Sequence, residues 1–153
     1  MSKWIYPVIK PRTKRDGDKT LIFDIIRRKF VVLTPEEWVR QHVVNYLTGY
    51  LQYPRSLIRC ESGLKYNNMS RRSDVIVYDR DGNVFLAVEC KAATVKMDQK
   101  TFDQLSVYNQ QYRARYLVLT NGLMHYVAEV DYKKKTYSFL KEIPLFSESD
   151  KQS

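Results

Sequence analysis

The chain has 153 residues, of which 44% are hydrophobic and 13% aromatic. This is enough apolar material for one compact domain, and it excludes a wholly disordered chain. The longest apolar run, residues 84–88, is far shorter than the ~20 residues of a membrane span, so we expect a cytoplasmic protein without a membrane partner. The two cysteines, Cys60 and Cys90, cannot by themselves form a disulfide framework or a four-ligand zinc site.

The formal net charge of +9 is concentrated in the first half of the chain. Residues 1–80 contain 16 Lys and Arg and 8 Asp and Glu, a net charge of +8, whereas residues 81–153 contain 10 and 9. Most of the excess lies in two basic clusters, within residues 10–19 and 27–29. Contact with nucleic-acid phosphates is one interpretation, and a solvated basic surface that favours solubility is the other.

We expect three segments along the chain. Residues 1–20 contain prolines and a glycine that interrupt any periodicity, and they are predicted to form a basic, irregular arm. Residues 21–144 are predicted to form a single domain, and residues 145–153 a flexible C-terminal tail.

A helix is predicted over residues 35–50. Thr34 is a typical N-cap, Pro35 is a typical first helical residue, and Glu37 completes a capping box. Apolar residues then recur at helical spacing. After a proline that ends the helix, a short strand is predicted over residues 57–61.

A β-hairpin in the middle of the chain is the next predicted unit. Its two strand-like runs, residues 73–78 and 84–91, flank Asp81 and Gly82, a dipeptide that is typical of hairpin turns. The elements predicted after it are a helix over 98–112 and strands over 116–119, 123–130 and 136–140. This order favours an α/β domain built around a mixed sheet.

The hairpin is predicted to bring two carboxylates together. With Asp81 and Gly82 as the two central turn residues, Asp74 lies directly opposite Glu89, and opposed residues point to the same face. Lys91 shares that face, because side chains alternate along a strand. The prediction depends on register, since a slip of one residue would send Glu89 to the other face.

Two opposed carboxylates destabilise a hairpin unless something compensates their charge. Mg²⁺, or Mn²⁺, is a suitable compensator because it takes oxygen ligands, and Lys91 could orient a water molecule or stabilise charge on a phosphate. The set suits metal-assisted phosphodiester hydrolysis. The alternative is a surface ion pair between Glu89 and Lys91, with Asp74 only beginning a strand. Cys90 points to the opposite face and is predicted to be a buried cysteine, not a nucleophile.

Four further residues are candidates for this site. Gln104 and Tyr108 are four positions apart on the predicted helix and share a face, where they could position water or phosphate, or simply belong to an amphipathic helix. Glu61 is a candidate metal ligand or an ordinary surface acid. Glu37 is also a candidate metal ligand, although its capping role already explains it.

These motifs together resemble the PD-(D/E)XK nuclease signature in its branch with a Q-x-x-x-Y extension. The residues that carry the resemblance are Asp74, Glu89-Cys90-Lys91 and Gln104-x-x-x-Tyr108. More specifically, residues 21–144 resemble the N-terminal nuclease domain of type I restriction enzyme R subunits. The stretches that match in order and spacing are residues 33–41, 72–78, 88–92 and 119–122.

The resemblance implies a restriction-endonuclease-like fold, a mixed β-sheet flanked by helices. The site that it implies has Asp74 and Glu89 as metal ligands, Lys91 as the catalytic lysine, Gln104 and Tyr108 as supporting residues, and a stronger case for Glu37 and Glu61. Ser73 stands where the signature has proline, a position that varies among such nucleases. Full R subunits also carry an ATP-driven motor, but this chain has no G-x-x-x-x-G-K-[ST] loop, so no ATP site is expected.

We therefore expect a Mg²⁺-dependent DNA endonuclease domain that holds DNA with its basic N-terminal half. The alternative is a catalytically silent DNA-binding or assembly module of a restriction complex that keeps the nuclease fold. A third hypothesis is a basic protein-interaction domain. The candidate partners are DNA, a motor or specificity subunit, and a second copy of the chain in a homodimer.

Overall fold

The structure is a computed structural model that describes residues 4–61, 65–66, 69–70, 74–110 and 112–147. It contains a small N-terminal sheet, a larger mixed sheet and two α-helices. No helix within these ranges is long and apolar enough to cross a membrane.

The N-terminal sheet is an antiparallel meander of β1 (Thr13–Asp16), β2 (Lys19–Asp24) and β3 (Lys29–Val32). The predicted irregular arm is therefore wrong from residue 13 onward. All four residues of β1 are polar and exposed, so this strand lacks the apolar alternation by which strands are recognised in a sequence. Its strand conformation is set by backbone pairing with β2 in a local hairpin, whose turn is Gly17 and Asp18.

Helix α1 (Pro35–Gly49) begins at the predicted residue. The side chain of Thr34 accepts a hydrogen bond from the backbone N–H of Glu37 at 3.0 Å, which is the N-cap interaction that the sequence predicts. The carboxylate of Glu37, however, accepts hydrogen bonds from arginine and glutamine side chains. Its position is therefore set by Arg40 and Gln41 of the same helix and by Arg27 of the meander rather than by the capping box.

The rest of the chain forms the mixed sheet, the second helix and a separate two-stranded sheet of β5 and β6. The elements in chain order are a short 3₁₀ helix (Arg55–Leu57), β4 (Ile58–Cys60), β5 (Lys65–Tyr66), β6 (Met69–Ser70), β7 (Val75–Tyr78), β8 (Val84–Cys90), α2 (Gln99–Tyr108), β9 (Tyr116–Thr120), β10 (His125–Asp131) and β11 (Thr136–Leu140). The strand order of the large sheet is β11-β10-β9-β8-β7-β4. Its β8 and β9 are parallel and its other neighbouring strands antiparallel. The predicted α/β class with a mixed sheet flanked by helices is confirmed.

The two helices cover opposite faces of the large sheet. Val43 of α1 belongs to the same apolar cluster as Val88 of β8, whereas Phe102 of α2 belongs to a second cluster with Ala87. Because side chains alternate along a strand, adjacent residues of β8 face different helices. Each helix thus covers a continuous apolar layer.

Part of the predicted C-terminal tail belongs to the core. The ring of Phe146 packs against the rings of Tyr53 and Phe85, with centroid distances of 5.5 and 5.2 Å. The prediction of a flexible tail is wrong at this position, because an aromatic side chain buries apolar surface when it packs against other rings. Ser73 and residues 148–153 lie outside the described part of the chain.

Candidate active site

The hairpin of β7 and β8 places Asp74 and Glu89 at the same end of the large sheet. Val75 pairs with Val88, so the next position along the ladder sets Asp74 opposite Glu89. This is the register that the sequence predicts. It puts both carboxylates where β8 ends and the chain leads towards α2.

The turn of this hairpin differs from the predicted two-residue turn. The backbone N–H of Asp79 donates to the carbonyl of Asn83 at 2.8 Å, which leaves a three-residue loop, residues 80–82, with Gly82 at a φ of 89°. One residue of β8, Phe85, is skipped in the pairing with β7 and forms a β-bulge. The three-residue loop shifts the pairing by one position, and the bulge shifts it back. The register at Asp74 is therefore the predicted one, although the turn is not.

Asp74 is buried, with 6% of its surface exposed, and its carboxylate is held by two elements. Its Oδ2 accepts a hydrogen bond from the backbone N–H of Cys90 at 2.9 Å, and its Oδ1 lies 3.6 Å from Nη1 of Arg40. Its backbone carbonyl accepts from the same Nη1 at 3.3 Å and from the N–H of Glu61 at 3.1 Å. The strand β8 and the helix α1 therefore fix its orientation jointly.

Glu37 is the centre of a buried ionic network. Its Oε2 accepts hydrogen bonds from Nε of Arg40 at 3.1 Å and from Nε2 of Gln41 at 2.7 Å, and its Oε1 accepts from Nη2 of Arg27 at 3.2 Å. Nε of Arg27 also donates to Oδ2 of Asp24 at 2.7 Å. Burial disfavours the charged form of Arg40, but the hydrogen bonds and charge of Glu37 outweigh it and raise the pKa of Arg40.

Lys91 lies immediately after β8 and pairs with Glu89. Its Nζ is 2.9 Å from Oε2 of Glu89, and the two side chains are 35% and 16% exposed. The backbone N–H of Lys91 donates to the carbonyl of Thr120 at 2.8 Å, so β9 anchors its backbone. The ion pair foreseen as the alternative interpretation is present, and it leaves a partly exposed ammonium group beside the carboxylate of Glu89.

Three predicted site residues remain: Glu61, Gln104 and Tyr108. Glu61 is next to Asp74 through its backbone, and its side chain is partly buried. Gln104 is exposed on α2, which packs on the sheet through Phe102 and Leu105. The side chain of Tyr108 lies outside the described part of the structure.

The donor set suits a magnesium ion held by two carboxylates. Asp74 and Glu89 supply hard oxygen ligands, and Mg²⁺ usually needs one or two carboxylates, with water completing its coordination. Among the residues that the structure describes, no three His, Cys, Asp or Glu side chains form a group that could hold a metal. Glu37 already accepts from two arginines and a glutamine, so it does not join Asp74 and Glu89 in this donor set.

Neither cysteine has the environment of a nucleophile or a thiolate ligand. Cys90 is 3% exposed, and burial raises its pKa well above the ordinary value. Burial also raises the pKa of Cys60 to about 12. Both thiols are therefore protonated at neutral pH, in agreement with the predicted core role of Cys90.

A groove of about 670 Å³ opens beside Asp74. Its walls come from the meander and from the start of α1, with side chains that include Leu21, Arg27, Phe30, Val32, Glu36 and Arg40. Sequence reasoning missed Arg40 as a neighbour of Asp74. The spacing of three between Glu37 and Arg40 predicts only that these two side chains are adjacent on the helix, so the contact with Asp74 had no local signal.

Residues 35–144 match the model of a protein family described as the type I restriction enzyme R protein N terminus. The chain belongs to this family. The resemblance found in the sequence is thereby confirmed at the level of the family. The meander of β1 to β3 precedes the matched residues.

One similar solved structure is a fragment described as an HsdR subunit of a type I restriction enzyme from Vibrio vulnificus YJ016. It shares 17% sequence identity with a TM-score of 0.47, over 73% of this chain and 24% of that chain. The chain thus spans about a quarter of the length of that structure's chain. Comparison with curated proteins finds no match.

Proposed function

We propose that the chain is a Mg²⁺-dependent DNA nuclease domain that hydrolyses phosphodiesters. The observations that support the proposal are the hairpin register, in which Asp74 and Glu89 occupy opposite positions of β7 and β8, and the 2.9 Å distance from Lys91 Nζ to Glu89 Oε2. Two carboxylates and a lysine are the groups that metal-assisted phosphodiester hydrolysis needs. Membership of a restriction enzyme family supports the same chemistry.

Asp74 and Glu89 would hold the cation, which supplies positive charge to a phosphate group during hydrolysis. Asp74 needs no reorganisation for this role, because the backbone of Cys90 and the guanidinium of Arg40 already orient its carboxylate. Such preorganisation is a main source of catalytic stabilisation. Glu61 is bonded to Asp74 through its backbone, and its side chain would have to move towards the two carboxylates to become a further ligand.

Lys91 would act directly on the substrate. Its ammonium group has three N–H donors, of which one direction is taken by Glu89. The others can donate to a phosphate oxygen or orient the attacking water. Gln104 and Tyr108 would contact the substrate from α2, and Glu37 would position Arg40, which in turn orients Asp74.

The test is cleavage of supercoiled plasmid with Mg²⁺ or Mn²⁺. We expect nicking by the unchanged chain and none by Lys91→Ala or Glu89→Gln. The matched control is Lys133→Ala, which removes an exposed lysine from the turn between β10 and β11 and should leave nicking intact. Thermal unfolding of each variant verifies that the fold is kept. Cleavage by Lys91→Ala at the unchanged rate would refute the mechanism.

A second candidate is a DNA-binding or assembly module of a type I restriction complex that does not cut DNA. It is favoured by the direct Glu89–Lys91 ion pair and by the lack of a third metal-capable side chain in the described part of the site. DNA binding without cleavage, also after addition of motor and specificity subunits, would support it. Sedimentation with and without DNA would test whether a homodimer forms.

A further inference from the structure

The meander has two faces of opposite character. Ile22 and Asp24 of β2 are 1% and 0% exposed and face the protein interior. The intervening residues of β2 point the other way, and cross-strand pairing sets Leu21 beside Val32 and Phe23 beside Phe30. Val32 is 46% exposed. Together Leu21, Phe23, Phe30 and Val32 form what we call the outer face of the meander.

Two cations lie over the aromatic rings of this outer face. The guanidinium carbon of Arg12 is 4.6 Å from the ring centroid of Phe23, and Nζ of Lys14 is 4.3 Å from that of Phe30. In the part of the chain that the structure describes, neither cation forms an ion pair with a carboxylate. Both charges are therefore available to an anionic ligand.

The outer face is continuous with the groove beside Asp74. Leu21, Phe30 and Val32 line that groove together with Asp74. An extended ligand bound on the meander could therefore reach the candidate active site without leaving the protein surface. None of the meander residues lies within the family match of residues 35–144.

We propose that the outer face of the meander binds a single strand of nucleic acid and guides it to Asp74. The guiding role rests on the proposed function. Surfaces that bind single strands combine cations for the phosphates with aromatic rings on which unpaired bases stack. The pairs Arg12–Phe23 and Lys14–Phe30 supply both. In a duplex the flat faces of the bases are stacked on one another, so only the cations of this face would contribute to duplex binding.

The experiment measures binding of a labelled oligonucleotide of about 16 nucleotides, single-stranded or paired with its complement, in EDTA. The charge variant is Arg12→Gln with Lys14→Gln, and the aromatic variant is Phe30→Leu, which keeps an apolar side chain. The matched control for charge is Lys133→Gln with Lys134→Gln, two exposed lysines in the turn after β10. Circular dichroism of each variant verifies the fold.

We expect the unchanged chain to prefer the single strand. The charge variant should lower single-strand affinity about tenfold and reduce the slope of log affinity against log salt by about 1.4, for two lost phosphate contacts. Phe30→Leu should weaken single-strand binding about tenfold and duplex binding much less. The control variant should bind as the unchanged chain does.

Equal affinity for single strand and duplex, an equal loss in the control variant, or no binding even at low salt would overturn the proposal. The last result is also the one expected if another protein surface covers this face. Because EDTA prevents metal-dependent cleavage, the result is independent of the nuclease proposal. Single-strand binding by a chain that never nicks plasmid would refute the nuclease proposal and support this one.

Discussion

Replacing Arg40 with glutamine should destabilise the protein more than the loss of an exposed arginine. The side chain of Arg40 is 7% exposed. It donates to the carboxylate of Glu37, to the carbonyl of Glu61 at 2.8 Å and to that of Asp74 at 3.3 Å. Glutamine is shorter and uncharged, so it leaves the buried carboxylate of Glu37 with less compensation.

The magnitude follows from the environment of Glu37. Removing one partner of a buried ion pair costs about 3–5 kcal/mol, because the other charge remains buried. Arg27 at 3.2 Å and Gln41 at 2.7 Å still donate to Glu37 in the variant. We therefore expect the lower end, about 3 kcal/mol of unfolding free energy, or about 6–12 °C in Tm.

Urea denaturation followed by circular dichroism measures this loss. The matched control is Arg115→Gln, because the guanidinium of Arg115 lies 3.4 Å from Glu129 with both side chains more than a third exposed; its loss should be at most about 1 kcal/mol. In the double variant with Glu37→Gln, the cost should be less than the sum of the single costs. A loss below about 1 kcal/mol for Arg40→Gln would refute the reasoning.

Two further predictions concern the backbone at Gly122 and the loss of folding stability at acidic pH. Gly122→Ala should cost about 1–3 kcal/mol in urea denaturation, because Gly122 has a φ of 87° and an added Cβ would overlap the Trp4 ring. Gly49→Ala should not destabilise, because the added Cβ makes only an ordinary contact with Oδ1 of Asn45, at 3.9 Å. Burial opposes ionisation of Asp24, but hydrogen bonds from Arg27 outweigh it and lower its pKa. The stabilisation is therefore present above pH ~4, the unfolded pKa, and lost as the pH falls through the lower folded pKa. The stability gap to Asp24→Asn, measured by urea denaturation at several pH values, should shrink accordingly, and a constant gap would contradict the assignment.

Elements with local signals were predicted closely from the sequence. Helix α1 begins at Pro35 as expected, because the Thr34 cap needs only its own neighbours to act. The edge strand over residues 136–140 coincides with β11. In both places the decisive information lies within a few residues of chain.

The predicted register at Asp74 was right although the predicted turn was not. A two-residue turn and a three-residue loop differ by one position, and the bulge at Phe85 restores it. A bulge of this kind could not be foreseen, because Phe85 and its neighbours form one uninterrupted apolar run, residues 84–88. Asp74 and Glu89 occupy opposite positions because the longer loop and the bulge at Phe85 compensate each other.

Non-local contacts explain what the sequence could not predict. Glu37 and Arg40 are near neighbours on one helix, but Arg27 lies on the connection from β2 to β3, and Asp74 precedes β7. Their meeting depends on how the meander and α1 pack on the large sheet. Strand β1 was missed for a different reason: it pairs with β2 in a local hairpin, but its polar, exposed residues lack the apolar alternation of a typical strand.

The residues before the family match complete the core of the domain. The hydroxyl of Tyr6, which is 3% exposed, donates to Oγ1 of Thr120 at 3.0 Å, and the ring of Trp4 stacks on that of His42 at 4.9 Å. Arg27 brings a partly buried positive charge to Glu37. A segment limited to residues 35–144 would expose these partners and leave Glu37 with less positive charge. The folding unit therefore has to include the N-terminal residues, which also supply the outer face of the meander and one wall of the groove.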